Sequence, residues 1–112
     1  MKKVVIPSLY LFLFLIILIV NACTKLASDF DANSSVEEII KNANEAFDKR
    51  DYTRAAEIYL KVEELYPYSD SSREALVNAI NSYHVGSKFT ELRKTSKKYL
   101  DLYPKDKNAP FA

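Results

Sequence analysis

Residues 51–67 have the sequence DYTRAAEIYLKVEELYP, and this stretch decides the fold of the chain. Its apolar side chains recur every three or four residues, which is the spacing of one face of an α-helix. Asp51 can cap the start of this helix, and Pro67 ends it. The closing tripeptide Leu-Tyr-Pro returns 37 residues later, at 102–104. The pattern therefore predicts a helical unit that occurs twice.

Capping signals predict one helix before this stretch and another after it. Ser34 and Ser35 each have a glutamate three residues later, so either can start the preceding helix with a capping box. Ser71 and Glu74 supply the same signal for the following helix. Gly86 is the only glycine, and it stands where a helix C-terminus favours a residue with positive φ. The apolar spacing after it predicts a fourth helix, which closes before the second Leu-Tyr-Pro proline.

The period of these helices points to a repeat architecture. A unit of 37 residues with small residues inside and a proline at its end resembles the tetratricopeptide repeat, whose period is about 34 residues. The loop at 68–72 can absorb the difference. We therefore predict an all-α fold, with two tetratricopeptide-type helical hairpins that form an α-solenoid after an N-terminal signal helix. A plain four-helix bundle is the alternative.

The N-terminal segment is too apolar to belong to a soluble core. Lys2 and Lys3 precede an apolar run from Val4 to Val20, whose uninterrupted part starts only at Leu9. That part fits the apolar region of a secretory signal, about 7 to 15 residues, better than the about 20 residues of a membrane-spanning helix. The segment is therefore predicted to be a signal peptide.

Cys23, the single cysteine, follows this apolar run. The sequence Val20-Asn21-Ala22-Cys23 resembles the bacterial lipobox, which implies that Cys23 carries a diacylglycerol and an N-acyl chain. Thr24 stands where an aspartate would retain many lipoproteins in the inner membrane, so we expect the periplasmic face of the outer membrane. A retained signal anchor and a secreted protein with a free thiol are the alternatives.

Composition argues against several classes of function. A lone cysteine cannot form an intramolecular disulfide. The part after the signal is nearly neutral, so nothing in it recruits nucleic acid. His84 is the only histidine, which argues against a two-histidine metal site. It lies beside the apolar stripe of its helix, and we predict a partly buried or surface side chain there, not a ligand or a base. We predict a protein that is not an enzyme and has no cofactor or metal, apart from the lipid on Cys23.

Polar residues on the first helix of each hairpin are candidates for binding. Tetratricopeptide arrays line a concave groove with these helices, and tyrosine offers such grooves both apolar area and a hydroxyl. The predicted peptide-binding residues are Asn42, Asn78, Asn81 and Tyr83. A basic stripe on the fourth helix is either a solvated face or a contact for an acidic partner or anionic headgroups. The stripe consists of Arg93, Lys94, Lys97 and Lys98.

The chain resembles the BamD family of tetratricopeptide lipoproteins in three features. They are the lipobox, the short tether, and the run from Asp51 to Ala56 followed by Leu-Tyr-Pro-Tyr-Ser at 65–69. This family belongs to the machinery that folds β-barrels into the outer membrane. The likeness continues through 79–83 and 99–104. It implies a scaffold that holds the BamA-type barrel subunit and other subunits of the complex, and that handles unfolded outer-membrane protein peptides. No reaction is implied. Members carry more repeats than two, so we expect the N-terminal portion of a truncated or split member.

We accordingly expect five segments along the chain. They are a signal peptide at 1–22, a lipidated tether at 23–33, a first repeat at 34–69, a second at 70–104, and at 105–112 the start of a third repeat or a disordered tail.

The leading hypothesis for the function is a barrel-assembly lipoprotein. Another periplasmic tetratricopeptide lipoprotein, which organises the cell envelope, is the alternative. A peripheral subunit of an envelope enzyme is a third hypothesis, without a positive sign in the sequence.

Overall fold

The structure is a computed structural model that describes residues 5–20 and 30–111. Five helices follow one another along the chain, and a short 3₁₀ turn at Ala109–Phe111 closes the described part. The helices are α1 (Val5–Val20), α2 (Val36–Asp48), α3 (Tyr52–Leu65), α4 (Asp70–Val85) and α5 (Phe89–Leu102). No strand occurs among the described residues, so the all-α prediction is confirmed.

Helices α2 to α5 pack in a row, each against its neighbour in sequence. The largest interface lies between α3 and α4, and α2 also reaches α4. Because α2 with α3 and α4 with α5 are joined by short turns, each pair forms a helical hairpin. We call α2 and α3 the first hairpin, and α4 and α5 the second. Stacked hairpins of this kind form a tetratricopeptide-like solenoid, as the 37-residue period predicts.

The turns inside the two hairpins have the same backbone geometry. Arg50 and Ser87, which are 37 residues apart, take positive φ values of 63° and 57°. The amide that follows each of them donates to a carbonyl five residues earlier, from Asp51 to Ala46 at 2.9 Å and from Lys88 to Tyr83 at 2.8 Å. The repeat therefore extends to individual hydrogen bonds.

Gly86 does not take the positive φ that the sequence predicted. Its φ is −78°, and the left-handed conformation falls on Ser87 instead. Glycine is needed at 86 for another reason, since a Cβ atom there would lie 3.0 Å from the Cβ of Tyr52 and 3.2 Å from the carbonyl oxygen of Ser82. The absence of a side chain lets the end of α4 approach the start of α3 closely.

Two of the predicted helix caps are confirmed and one is wrong. The Ser35 hydroxyl accepts a hydrogen bond from the Glu38 amide at 3.2 Å, and Asp51 caps α3 through the Arg54 amide at 3.3 Å. Helix α4, however, begins at Asp70 and is not capped by Ser71.

Ser69 is the residue that caps α4. It has an extended backbone, and its hydroxyl accepts from the Ser72 amide at 3.0 Å while it donates to the Tyr66 carbonyl at 2.7 Å. Ser72 is fully buried and lies inside the helix. A cap must precede the first helical residue, so the serine that also satisfies the end of α3 takes this role.

A stripe of small residues on α4 permits the close packing of the hairpins. Its members are buried or nearly so and recur every three or four residues: Ser72, Ala75, Ala79, Ser82 and Gly86. The positions 37 residues earlier on α2 are polar and mostly exposed: Ser35, Glu38, Asn42, Glu45 and Lys49. Helix α4 is thus an inner helix, whereas α2 presents the polar outer face that ends a solenoid.

The loops between the hairpins gather at one end of the solenoid, which we call the tether end (residues 30–35, 66–69 and 103–108). The Tyr66 hydroxyl donates to the Ser34 carbonyl at 2.6 Å, and Arg73 on the first turn of α4 binds Asp106 at 2.7 Å. The turns at 49–51 and 86–88 lie at the opposite end, the turn end, since each helix runs the length of the solenoid.

Candidate functional site

A groove of about 420 Å³ lies between α4 and α5. Asn81 and His84 contribute to its α4 wall, and Leu92 and Ser96 to its α5 wall, while Phe111 reaches it from the closing 3₁₀ turn. The lining combines apolar side chains with a few polar groups, as ligand grooves commonly do.

The groove exists because one aromatic side chain is missing from the second hairpin. In the first hairpin Tyr59 is buried, and its hydroxyl donates to the carboxamide of Asn44. Counting 37 residues onward places Ser96 at the position of Tyr59, and Asn81 at the position of Asn44. The small serine leaves open the volume that a phenol ring fills in the first hairpin. Among the described residues, none forms a hydrogen bond with the Asn81 side chain, which therefore faces the groove with free donors and an acceptor.

The predicted peptide-binding residues do not all share this surface. Asn78 and Asn81 are exposed and lie one helical turn apart on α4, and Asn78 borders a smaller cavity of about 240 Å³ that shares Val77 and Asn108 with the groove. Asn42 belongs to the outer helix α2, where its side-chain amide donates to the Glu38 carbonyl at 2.8 Å. The structure therefore brings together two of the four.

Tyr83 lies inside the core and not on the groove. Only 5% of it is exposed, and it packs in the cluster that joins α3 and α4. Burial raises the pKa of its hydroxyl, and the carboxylates of Glu57 and Glu91 raise it further. A role in binding would thus have to act through packing.

Asp106 ties the chain beyond α5 to both helices of the second hairpin. Its side chain is only 6% exposed. One carboxylate oxygen accepts from the hydroxyl of Tyr99 and from the Asn108 amide at 2.9 Å, and the other accepts from Arg73 at 2.7 Å. These bonds position the segment that carries Phe111 at the mouth of the groove.

The same contacts shift the acidity of both partners. The hydrogen bond from Tyr99, then those from the Asn108 amide and Arg73, lower the pKa of Asp106 to about 2. Burial, followed by the bond to Asp106, raises the pKa of Tyr99 to about 12. Neither group changes its protonation near neutral pH, so the cluster is suited to holding structure and not to acid–base catalysis.

The described residues contain no group of three or more histidine, cysteine or acidic side chains arranged for a metal ion. His84 is exposed on the last turn of α4 and borders the groove. Its carbonyl accepts from the Ser87 amide at 3.0 Å, whereas its imidazole forms no hydrogen bond with a described residue.

Reasoning from sequence missed most of the groove. Ser96 could have been found, because the 37-residue offset aligns it with Tyr59 and the loss of a ring implies a void. His84 was considered only as a metal ligand or base, and not as part of a surface. Asp106 follows the last helix and belongs to no periodic pattern, so its role depends on contacts 33 residues away along the chain.

The proposed anchor lies largely outside the described residues. Cys23, the lipobox and most of the tether fall within 21–29, and the structure describes the apolar run before them as helix α1. In the described part of the chain, no helix combines the length and apolarity needed to cross a bilayer.

Comparison with known proteins places the chain in a family. Residues 32–112 match the family model described as YfiO, outer membrane lipoprotein. The match covers all four helices of the solenoid, together with the groove and the Asp106 cluster. No curated protein and no solved structure matches the sequence.

Proposed function

We propose that this chain, which belongs to the YfiO family of outer membrane lipoproteins, is a non-catalytic scaffold of the β-barrel assembly machinery. It is held at the periplasmic face of the outer membrane by acyl chains on Cys23, and its solenoid binds protein partners or unfolded outer-membrane protein peptides. The observation that carries this proposal is the family match over the whole solenoid.

The sequence around Cys23 supports the lipid anchor. A run of 16 apolar and small residues forms α1, and it ends only three residues before the cysteine. After Asn21, Ala22 supplies the small residue directly before the cysteine, as in the bacterial lipobox. The polar tether after Cys23 would then separate the acyl chains from α2.

The groove between α4 and α5 supports peptide binding. Its volume of about 420 Å³ has room for side chains of a bound peptide, and the free carboxamide of Asn81 can pair with a peptide group or a hydroxyl. A segment of an unfolded barrel protein, or an exposed loop of a BamA-type subunit, offers such groups. Binding in this way needs no reaction chemistry.

Site-specific crosslinking tests the binding role. A photoreactive amino acid at Asn81 should crosslink, in living cells, to the barrel-forming subunit or to outer-membrane protein precursors. The same residue at Glu45, which is exposed on the outer face of α2, serves as the matched control and should give much weaker products. If Asn81 crosslinked only to other envelope proteins, the barrel-assembly hypothesis would be rejected in favour of a role in cell-envelope organisation.

The lipid anchor is tested by intact mass. The full chain should gain a diacylglycerol and an N-acyl chain and lose residues 1–22, whereas Cys23→Ala should retain its leader and take up no palmitate. An unmodified cysteine in the wild-type protein would disprove the anchor.

A further inference from the structure

Tyr68 is an aromatic residue that the fold does not explain. It follows Pro67 in the loop between α3 and α4, and 80% of it is exposed. Its φ of 62° is left-handed, a conformation that glycine or asparagine takes more easily than tyrosine. The exposed ring gains little packing within the chain in return.

The position of Tyr68 is fixed at the tether end. The neighbouring Tyr66 donates its hydroxyl to the carbonyl of Ser34, just before α2, and Phe30 packs against the core. Phe30 follows Cys23 by seven residues, which span at most about 25 Å even when fully extended. An acylated Cys23 would therefore keep this end of the solenoid within about 25 Å of the bilayer surface.

The exposed residues of the tether end that follow α5 suit a phospholipid surface. Lys105, which lies 37 residues after Tyr68, and Lys107 are both exposed, and Phe111 further along the chain is 87% exposed. Asp106 in this segment is buried in its cluster, and the exposed acids Asp31, Glu37 and Glu38 lie on the other flank, at the start of α2. Asp70 is exposed on the first turn of α4, 3.2 Å from Arg73. Tyrosine is enriched at the level of lipid headgroups, and lysine is attracted to anionic headgroups.

We propose that the tether end of the solenoid rests on the membrane, with the ring of Tyr68 inserted among the phospholipid headgroups. The proposal rests on the lipid anchor put forward above, and it adds an orientation. The loop at 66–69 and the lysines of 103–108 contact the bilayer, while the turns at 49–51 and 86–88 point away from it. The groove between α4 and α5 then stands upright on the membrane.

The chain contains no tryptophan, so a single introduced indole can report on one position. We would make Tyr68→Trp and, as the matched control, Phe89→Trp. Phe89 is also an exposed aromatic, 60% accessible, but it begins α5 at the turn end. Both lipidated full chains are reconstituted in vesicles of phosphatidylethanolamine and phosphatidylglycerol, in which part of the lipid carries bromine on its acyl chains near the headgroup.

Bromine quenches only an indole that is close to it. We expect brominated lipid to reduce the emission of Trp at 68 about twofold and to shift it to the blue, while Trp at 89 keeps its emission. Unquenched emission at 68 in a chain whose mass shows the lipid would overturn the orientation and leave the anchor intact. Equal quenching at both positions would also overturn it, because the solenoid would then lie on the basic flank of α5. A mass without lipid would overturn the anchor and the orientation together.

Discussion

Tyr66 and Tyr103 hold corresponding positions in the two hairpins, but only one hydroxyl has a partner. The Tyr66 hydroxyl donates to the Ser34 carbonyl at 2.6 Å, whereas the Tyr103 hydroxyl is buried without a hydrogen bond to any described residue. Tyr66→Phe should therefore lower the free energy of unfolding by about 1 kcal/mol, because it removes a satisfied bond and leaves a carbonyl unpaired. Tyr103→Phe should leave it unchanged or raise it slightly.

Urea unfolding of the full chain in mild detergent compares the two variants. Far-ultraviolet circular dichroism measures the helix that remains at each urea concentration. The variants make the same chemical change at equivalent backbone positions, so each is the control of the other. Equal losses of stability would show that the hydroxyl of Tyr103 has a partner after all.

At the scale of elements, the close approach of α4 to α3 depends on Gly86. Since its φ is −78°, alanine is tolerated by the backbone, but its Cβ would lie 3.0 Å from the Cβ of Tyr52 and 3.2 Å from the carbonyl oxygen of Ser82. Gly86→Ala should therefore destabilise the fold by about 1–3 kcal/mol, the usual cost of overpacking. Lys49→Ala, at the equivalent exposed position of the first hairpin, should change stability by less than about 0.5 kcal/mol.

Thermal unfolding measures both variants. A neutral Gly86→Ala would mean that the start of α3 and the end of α4 move apart without cost, because the Cβ of Tyr52 can move only with its backbone. In that case the glycine would have no role in the contact between the helices.

The helices could be predicted from sequence, whereas the details of their ends and surfaces could not. Apolar spacing and Asp51 were sufficient for α3, because a cap and a periodic face are local properties. Two features depended on contacts between helices. Ser69 rather than Ser71 caps α4 because it also bonds to the end of α3, and Gly86 is required by a neighbour 34 residues away.

The candidate site was only partly predictable for the same reason. The sequence predicts Asn81 and Tyr83 as peptide-binding residues of one surface, but the structure places Asn81 in the lining of the groove and Tyr83 in the core. An inner helix of a solenoid is covered on two sides, by the helix before it and by the helix after it. The amphipathic pattern of a helix shows that one face is apolar. It does not show which residues outside that face are covered by the second of the two neighbouring helices.

For the molecule as a whole, the Asp106 cluster should set how the fold responds to acid. Its carboxylate has a pKa of about 2 in the fold and an ordinary value of 3.8, so below about pH 5 the unfolded chain binds more protons than the folded one. The stability that Asp106 contributes is therefore complete above about pH 5 and is lost as the pH falls towards 2. On the alkaline side Tyr99, with a pKa of about 12, should act in the opposite direction, because its contribution is lost as the pH rises above 10.

Asp106→Asn tests this linkage. The variant should be less stable than the wild type at neutral pH, since Arg73 loses the nearer and more buried of its two carboxylate partners. The gap should close as the pH is lowered towards 2, because the wild-type carboxylate is then protonated. Asp101→Asn is the matched control. That carboxylate is exposed and paired with Lys97 at 3.4 Å on the surface of α5, so its loss should alter stability little at any pH. A gap for Asp106→Asn that stayed constant from neutral to acid pH would mean that the side chain acts by shape alone. Its charge would then not hold the segment at 103–111 against the solenoid.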